Sequence, residues 1–344
     1  MKRSLALASM VLVAAVGSGA WLHWHWTHDP LPIGAQPVDV DIMPGESLRR
    51  VAQQFADKGI LRHAWDLTLY TRLERASGGL RAGEYEIEPG TTVAGLLDLL
   101  RSGKVVMHSL TLVEGWTFKQ ILAAVEAEPN LDHTLAGLDA AAQLKKLGFE
   151  SASPEGELLP DTYQFPRGTS DVSFLRRAHE AQQQYLATEW NARPQGLPYK
   201  TPYDALIMAS IVEKETGVAA ERARVAGVFV SRLRKGMRLQ TDPTVIYGLG
   251  DGYDGTIHTR DLQTDTPYNS YTRAGLPPTP ICLPGHDSIV AALHPLDTGE
   301  LYFVATGNGG HHFSKTLEEH NEAVKAYLQH LRSQGAQPAQ SGAR

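Results

Sequence analysis

Cysteine is almost absent from this chain. Cys282 is the single one in 344 residues, which excludes an intrachain disulfide and any metal site built on a cysteine cluster. Positive charge is not in excess either. Lys and Arg number 32 against 38 Asp and Glu, a formal net charge of -6, so the basic field of a nucleic-acid binder is missing. No HExxH spacing appears. His311 and His312 precede Glu318, Glu319 and His320, but adjacent histidines point to opposite faces of a strand. These absences leave an acidic chain whose chemistry rests on carboxylates, hydroxyls and amides.

What is present begins with 42% hydrophobic content, enough for real cores in a chain long enough for two domains. Lys2 and Arg3 precede an apolar run from Leu5 to Leu22, close in length to a membrane span. The charges place the N-terminus on the cytoplasmic side, and Trp21, Trp24 and Trp26 read as an interfacial belt on the far side. Ser18-Gly-Ala20 offers the small residues of a signal-peptide cleavage site, so a cleaved signal competes with a retained anchor. The length of the run and the tryptophans behind it favour the single-pass anchor.

A Pro-rich linker follows, and then the pattern changes. Val38-Asp-Val-Asp-Ile42 alternates as a strand does, and Leu48, Val51, Ala52 and Phe55 repeat at helical spacing. The scheme recurs with Gly83-Glu-Tyr-Glu-Ile87 as strand and Val93, Leu96, Leu97 and Leu100 as a helix face. A small α+β module over 37–108 is expected. Further on, helices are expected near 134–147, 172–190 and 220–235. On the last of these Val225, Val228, Phe229 and Leu233 mark a core face, and Arg222, Arg224, Arg232 and Arg234 read as solvated.

The most informative stretch is Ile207-Met-Ala-Ser-Ile-Val-Glu-Lys-Glu-Thr216. Thr201, Pro202 and Asp204 supply a helix start, and Gly217 offers a left-handed stop. Met208, Ile211, Val212 and Glu215 share one stripe, whereas Glu213 points with Leu206, Ala209 and Ser210. Burial of Glu215 and the negative end of the helix both disfavour its ionised form, which suits a general acid near neutral pH. Gln240, Thr241, Asp242 and Thr244, in a stretch expected to be non-helical around Pro243, supply donors and acceptors for sugar hydroxyl and acetamido groups. Asn269 and Tyr271 offer the same, and Tyr247 and Tyr268 offer rings for stacking. Glu155, in the loop Glu155-Gly156…Pro160-Asp161-Thr162-Tyr163, is a further candidate. For each of these side chains a loop-bracing hydrogen bond competes with substrate contact.

Ala209-Ser-Ile-Val-Glu-Lys-Glu-Thr216, Arg238-Leu-Gln-Thr-Asp-Pro-Thr-Val-Ile-Tyr-Gly248, Tyr268-Asn-Ser-Tyr-Thr272 and Gly275-Leu-Pro-Pro278 resemble the endolytic murein transglycosylases of the MltG (YceG-like) family. The resemblance continues through His294-Pro295, Tyr302-Phe-Val-Ala305 and Lys315-Thr-Leu-Glu-Glu-His-Asn321, and so spans nearly the whole chain. It implies an α+β protein with a cytoplasmic N-terminus over 1–4 and a transmembrane anchor over 5–22. A linker over 23–36, a LysM-like subdomain over 37–108, a catalytic domain over 109–332 and a disordered tail over 333–344 complete the expected organisation. It further implies Glu215 as the catalytic acid/base and the Glu155 loop as a border of the substrate cleft, for which Gln240, Thr241, Asp242, Tyr247, Asn269 and Tyr271 are the candidate contacts read from their side-chain chemistry. No metal or cofactor is implied. The substrate would be nascent peptidoglycan, cut between N-acetylmuramic acid and N-acetylglucosamine to leave 1,6-anhydro ends. The other implied partners are the cytoplasmic membrane and wall-synthesis enzymes. Two rivals stay open: a muramidase, which needs a second carboxylate such as Glu213, Glu155 or Asp242, and a non-enzymatic glycan-binding scaffold.

Overall fold

The apolar N-terminal run winds into one unbroken helix, α1 (Lys2–His28), in the computed structural model, which describes residues 2–75, 79–149 and 153–333. Met10, Val11, Leu12, Val13 and Val16 on this helix face solvent. Among the described residues no helix is long and apolar enough to cross a membrane. Beyond Leu22 the helix simply continues, through residues expected to be linker. Trp26, expected in an interfacial belt, is instead fully buried. Its Nε1–H donates to Asp66 at 2.9 Å, and its ring packs edge-on against Tyr70. An indole that finds both an apolar bed and a polar partner is more stable inside than at a surface.

The chain divides into two compact units. The first comprises Met1–His108 together with Gln164–Thr169. In it β1 (Val38–Ile42) leads to α2 (Leu48–Asp57) and α3 (Ala64–Leu73), then to β2 (Gly83–Ile87) and α4 (Val93–Ser102). β1 and β2 pair antiparallel, Val38 opposite Ile87 and Ile42 opposite Gly83. Ser47 and Thr92 cap α2 and α4 through their hydroxyls. The expected helix faces do enter the core, where Val51, Phe55, Leu96 and Leu100 meet Val40, Tyr85 and Ile87. Glu84 ties the returning segment into this unit, accepting from Arg167 Nε and Nη2 at 3.0 and 3.2 Å while His108 Nε2 lies 2.7 Å away. The Arg167 guanidinium holds the Glu84 carboxyl below the usual carboxylate range.

The strand β3 (Met107–Thr111) carries the chain onward to α5 (Phe118–Ala127), β4 (Leu131–Asp132), α6 (Ala140–Leu147), β5 (Thr162–Pro166) and β6 (Thr169–Ser170). Then come α7 (Asp171–Ala192), α8 (Pro202–Glu215), α9 (Arg222–Arg234), α10 (Asp242–Leu249), α11 (Thr259–Gln263) and α12 (His286–Leu293). The hairpin β7 (Tyr302–Ala305) and β8 (His311–Ser314), with Tyr302 opposite Ser314, precedes α13 (Leu317–Ser333). Apart from Ser333, which closes α13, the expected tail lies outside the described residues. α6 starts later than the expected 134, because Gly137 takes a left-handed φ of 73° and Asp139 then caps Ala142 N–H at 2.8 Å.

α8 is the axis of the second unit. Thr201 and Asp204 close a reciprocal capping box at its start. Every residue from Ala205 to Val212 is buried, because α7, α9, α10 and α12 all pack on it. The expected single stripe is therefore corrected to a helix enclosed on all sides. Its end also differs from expectation. Thr216 takes an extended φ of -142°, and its hydroxyl accepts from Val218 N–H at 3.0 Å. This side-chain brace replaces the left-handed glycine stop expected at Gly217.

Candidate active site at the end of the central helix

Glu215 is the last residue of α8, and it half-emerges from the core into a pocket of about 360 Å³. α9 contributes Phe229 and Arg232, the segment after it Met237, Leu239 and Gln240, and α10 contributes Asp242. Tyr271, Tyr302, Phe303, Leu317 and His320 complete the wall. Stretches far apart in sequence thus surround one carboxyl group. Burial pushes the Glu215 carboxyl up to about 7, and the negative charge of Asp242 adds to this. The Thr241 hydroxyl opposes the shift by donating to Glu215 Oε1, as do the positive fields of His311 and Arg232.

Thr241 is fixed from several sides. Its N–H donates to Ser270 Oγ at 3.0 Å, and Ser270 and Thr244 hydroxyls both donate to its carbonyl, at 3.2 and 2.8 Å. It occupies the N-cap of α10, yet its side chain makes no capping bond. The hydroxyl that would serve the helix serves Glu215 instead. Sequence reading expected 240–244 to be non-helical, but Pro243 sits in the first turn of α10, where its fixed φ and missing N–H cost nothing. Gln240, just before, holds a left-handed φ of 52°, and its N–H donates to the Ser270 carbonyl at 3.2 Å. Such strain in a non-glycine residue is characteristic of functional loops.

Asp242 accepts from Tyr271 Oη–H at 2.6 Å, and burial pushes its carboxyl upward against that bond. Glu213 faces elsewhere. It accepts from Gly285 N–H at 3.0 Å, at the start of α12, where a negative charge also meets the positive end of a helix. Two glutamates two positions apart are thereby separated into a helix cap and a pocket acid.

Residues 40–326 of the chain match the YceG-like family. The chain belongs to that family. It is 32% identical over 328 residues to a Bacillus subtilis protein named endolytic murein transglycosylase, with 90% of each chain covered. Proteins of the same name from Streptococcus pneumoniae are 25% identical over 364 residues, covering 95% of this chain and 65% of theirs. A solved YceG-like structure from Listeria monocytogenes is 32% identical, with a TM-score of 0.53 over 84% of this chain and 99% of that one.

In this YceG-like chain the candidate residues divide into two groups. Glu215, Gln240, Thr241, Asp242 and Tyr271 converge on the pocket or its immediate support. Asn269 does not face it. Its Nδ2 donates to the carbonyls of Asp261, Leu262 and Thr264, and its Oδ1 accepts from Tyr271 N–H at 2.9 Å. The loop therefore engages both the amide nitrogen and the amide oxygen of Asn269. Glu155 and Tyr247 belong to a second cluster. Glu155 is only 6% exposed, accepts from Phe118 N–H at 3.0 Å and is hydrogen-bonded by Tyr247. The Tyr247 ring lies edge-on to Tyr268 at 4.9 Å, and Tyr268 Oη is 2.9 Å from Thr279 Oγ1. These rings pack against each other. Gly156 follows Glu155 with φ at 78°, and a Cβ there would meet Pro280 at 2.8 Å, so only glycine fits this turn.

Arg232 is the main correction. Expected to be solvated, it is 8% exposed and lines the Glu215 pocket. Its neighbours in the run are indeed at the surface or paired, Arg224 with Glu300 and Arg222 with Asp287. The signal is present in the helix arithmetic: position 232 lies seven after Val225, four after Val228 and three after Phe229, on the core stripe itself. Tyr302, Phe303 and His320 also escape sequence reasoning as pocket residues, since nothing local marks a strand and a distant helix as walls of one site. Among the described residues, no three or more His, Cys, Asp or Glu side chains gather as metal ligands.

Proposed function

We propose that the chain is an endolytic lytic transglycosylase that cuts murein strands between N-acetylmuramic acid and N-acetylglucosamine with a single glutamate. The supporting observation is Glu215 at the pocket wall, its carboxyl pushed to about 7 and oriented by a Thr241 hydroxyl. Protonated at neutral pH, Glu215 gives its proton to the glycosidic oxygen as the C1–O4 bond breaks. Positive charge develops at C1 of the muramyl residue, and its own acetamido oxygen stabilises it with the help of polar pocket groups. The Glu215 carboxylate, now ionised, takes the proton of the C6 hydroxyl. That oxygen attacks C1 and closes the 1,6-anhydro ring, so no water is consumed and Glu215 returns to its starting state. Asp242 and Tyr271 contribute negative charge and a fixed hydroxyl beside this centre. The names borne by the Bacillus and Streptococcus relatives support the same activity.

One observation favours a second reading. Asp242 lines the same pocket as Glu215 and could serve as the second carboxylate of a muramidase. Mass spectrometry of glycan fragments decides between the two. Anhydro ends from the wild type, absent with Glu215→Gln, fit the transglycosylase, whereas reducing ends fit the hydrolase.

Membrane attachment is a separate part of the proposal. Its support is Lys2 and Arg3 ahead of the run Leu5 to Leu22, and the outward-facing Met10 to Val13 of α1. In this reading the N-terminus is cytoplasmic and the catalytic unit lies on the periplasmic side of the inner membrane, next to newly made strands and wall-synthesis enzymes. The β1–α2–α3–β2 arrangement supports a LysM-like, glycan-holding role for the first unit. Release from membranes by detergent but not by salt is the expected behaviour of the anchor.

A further inference from the structure

Among the described residues the guanidinium of Arg232 forms no ion pair. Its Nε donates to the Leu301 carbonyl at 2.7 Å and its Nη1 to the Leu239 carbonyl at 2.6 Å, with a longer contact to that of Arg238 at 3.4 Å. Among the described residues no carboxylate lies within salt-bridge distance of it, although it is 8% exposed. The contrast with its own helix is direct, since Arg222, Arg224 and Arg234 each meet a carboxylate. A charge taken out of water without a counter-ion is costly, and proteins retain such a charge where a ligand supplies the missing partner. Neither Glu215 nor Asp242, the two carboxyls that share the pocket, forms an ion pair with it.

A second buried group points the same way. His320 is 6% exposed, lines the same pocket, and its Nδ1 has no hydrogen-bond partner. Tyr302 connects the two groups: the Arg232 guanidinium lies 5.3 Å from its ring centroid, and the His320 imidazole stacks on it at 5.2 Å. Backbone carbonyls therefore fix the guanidinium, and the aromatic ring fixes the imidazole. Both border the same pocket of about 360 Å³ that Glu215 lines.

We propose that Arg232, with His320, forms an anion subsite that takes a carboxylate of the peptide stem carried by the muramyl residue at the cut. This rests on the murein-cleaving reading above and adds a specificity to it: strands bearing acidic stems are preferred over bare glycan. The subsite acts on binding, and Glu215 alone moves protons.

The test uses the full chain and two purified substrates, strands with their stems and the same strands stripped of them by an amidase. Wild type should cut stem-bearing strands with the lower KM. Arg232→Gln should raise KM on stem-bearing strands by about 30-fold or more and erase the preference, while any kcat change from removing the positive field beside Glu215 should be common to both substrates. Arg232→Lys, which keeps the charge, should restore most of the preference. An equal loss on both substrates, or a loss confined to kcat, overturns the subsite. Should Arg232→Gln fail to fold, Glu215→Gln in the full chain serves as receptor for a free alanyl-glutamyl dipeptide and its fully amidated counterpart. Stronger, salt-sensitive binding of the acid form supports the subsite, and equal binding of the two refutes it. If wild type cuts neither substrate, the murein-cleaving reading itself fails, whatever the dipeptide shows.

Discussion

Two glutamates taken largely out of water, Glu215 and Glu155, have carboxyls pushed to about 7, and burial is the leading cause for both. Their surroundings differ in one respect. Glu155 is enclosed, with its oxygens committed to Phe118 N–H and Tyr247 and its neighbours packed ring against ring. Glu215 is held by one hydroxyl and opens on a pocket wide enough for part of a sugar strand. A perturbed carboxyl alone does not identify a catalyst, because structural groups are perturbed by the same desolvation. What separates the two is whether a reacting atom can reach the proton.

The contrast breaks most sharply by substitution at Glu215. Glu215→Gln should lower strand cleavage by about a thousandfold or more, and above pH 7 it should be at least as stable as wild type, because it removes a carboxyl whose ionisation the fold disfavours. Comparable activity of this variant in the product assay would remove Glu215 from the mechanism. Glu155→Gln should act on stability while leaving most of the activity in place. The fold binds a proton at Glu155 more tightly than the unfolded chain does, so below pH 4.5 the group is protonated in both states and its ionisation costs nothing. As pH rises towards about 7 the unfolded chain ionises first, and wild type should lose on the order of 3 kcal/mol across that window. Urea titrations at pH 5 and pH 8 should show this loss reduced in Glu155→Gln, and an undiminished loss would place its origin elsewhere.

A smaller effect sharpens the role of Thr241. Its hydrogen bond favours the ionised form of Glu215, so Thr241→Val should raise the Glu215 pKa further. The alkaline fall in cleavage rate, which follows loss of the Glu215 proton, should then move to higher pH by up to about one unit. The smallest effect belongs to Glu213. Glu213→Ala leaves Gly285 N–H without its carboxylate and should cost about 1 kcal/mol in denaturant unfolding while most of the activity remains.

Much of the fold was legible because its signals are local. The alternation at 38–42 and at 83–87 and the capping box at Thr201 and Asp204 are each carried by residues within a few positions of one another, although the two strands pair across α2 and α3. Glu215 was legible as a candidate for the same reason, at the end of an apolar helix beside a hydroxyl-rich segment. Asn269 and Tyr247 read as substrate contacts because amides and phenols look alike in sequence whether they face a sugar or a carbonyl. Arg232 read as solvated because its charged neighbours, rather than its stripe, set the expectation.

The sequence by itself determined α2, α4, α7, α8 and α9, the cap at Thr201 and the choice of candidate acid, since these follow from periodicity and from residue chemistry at short range. Only the tertiary structure decided what the two nearby glutamates meet, a pocket for Glu215 and the start of α12 for Glu213, and which arginine loses its solvent. Those outcomes depend on the approach of α9, α10, β7 and α13 to the end of α8. Contacts between segments so distant in the chain leave no local mark, and it is through them that one carboxyl becomes accessible while another stays closed.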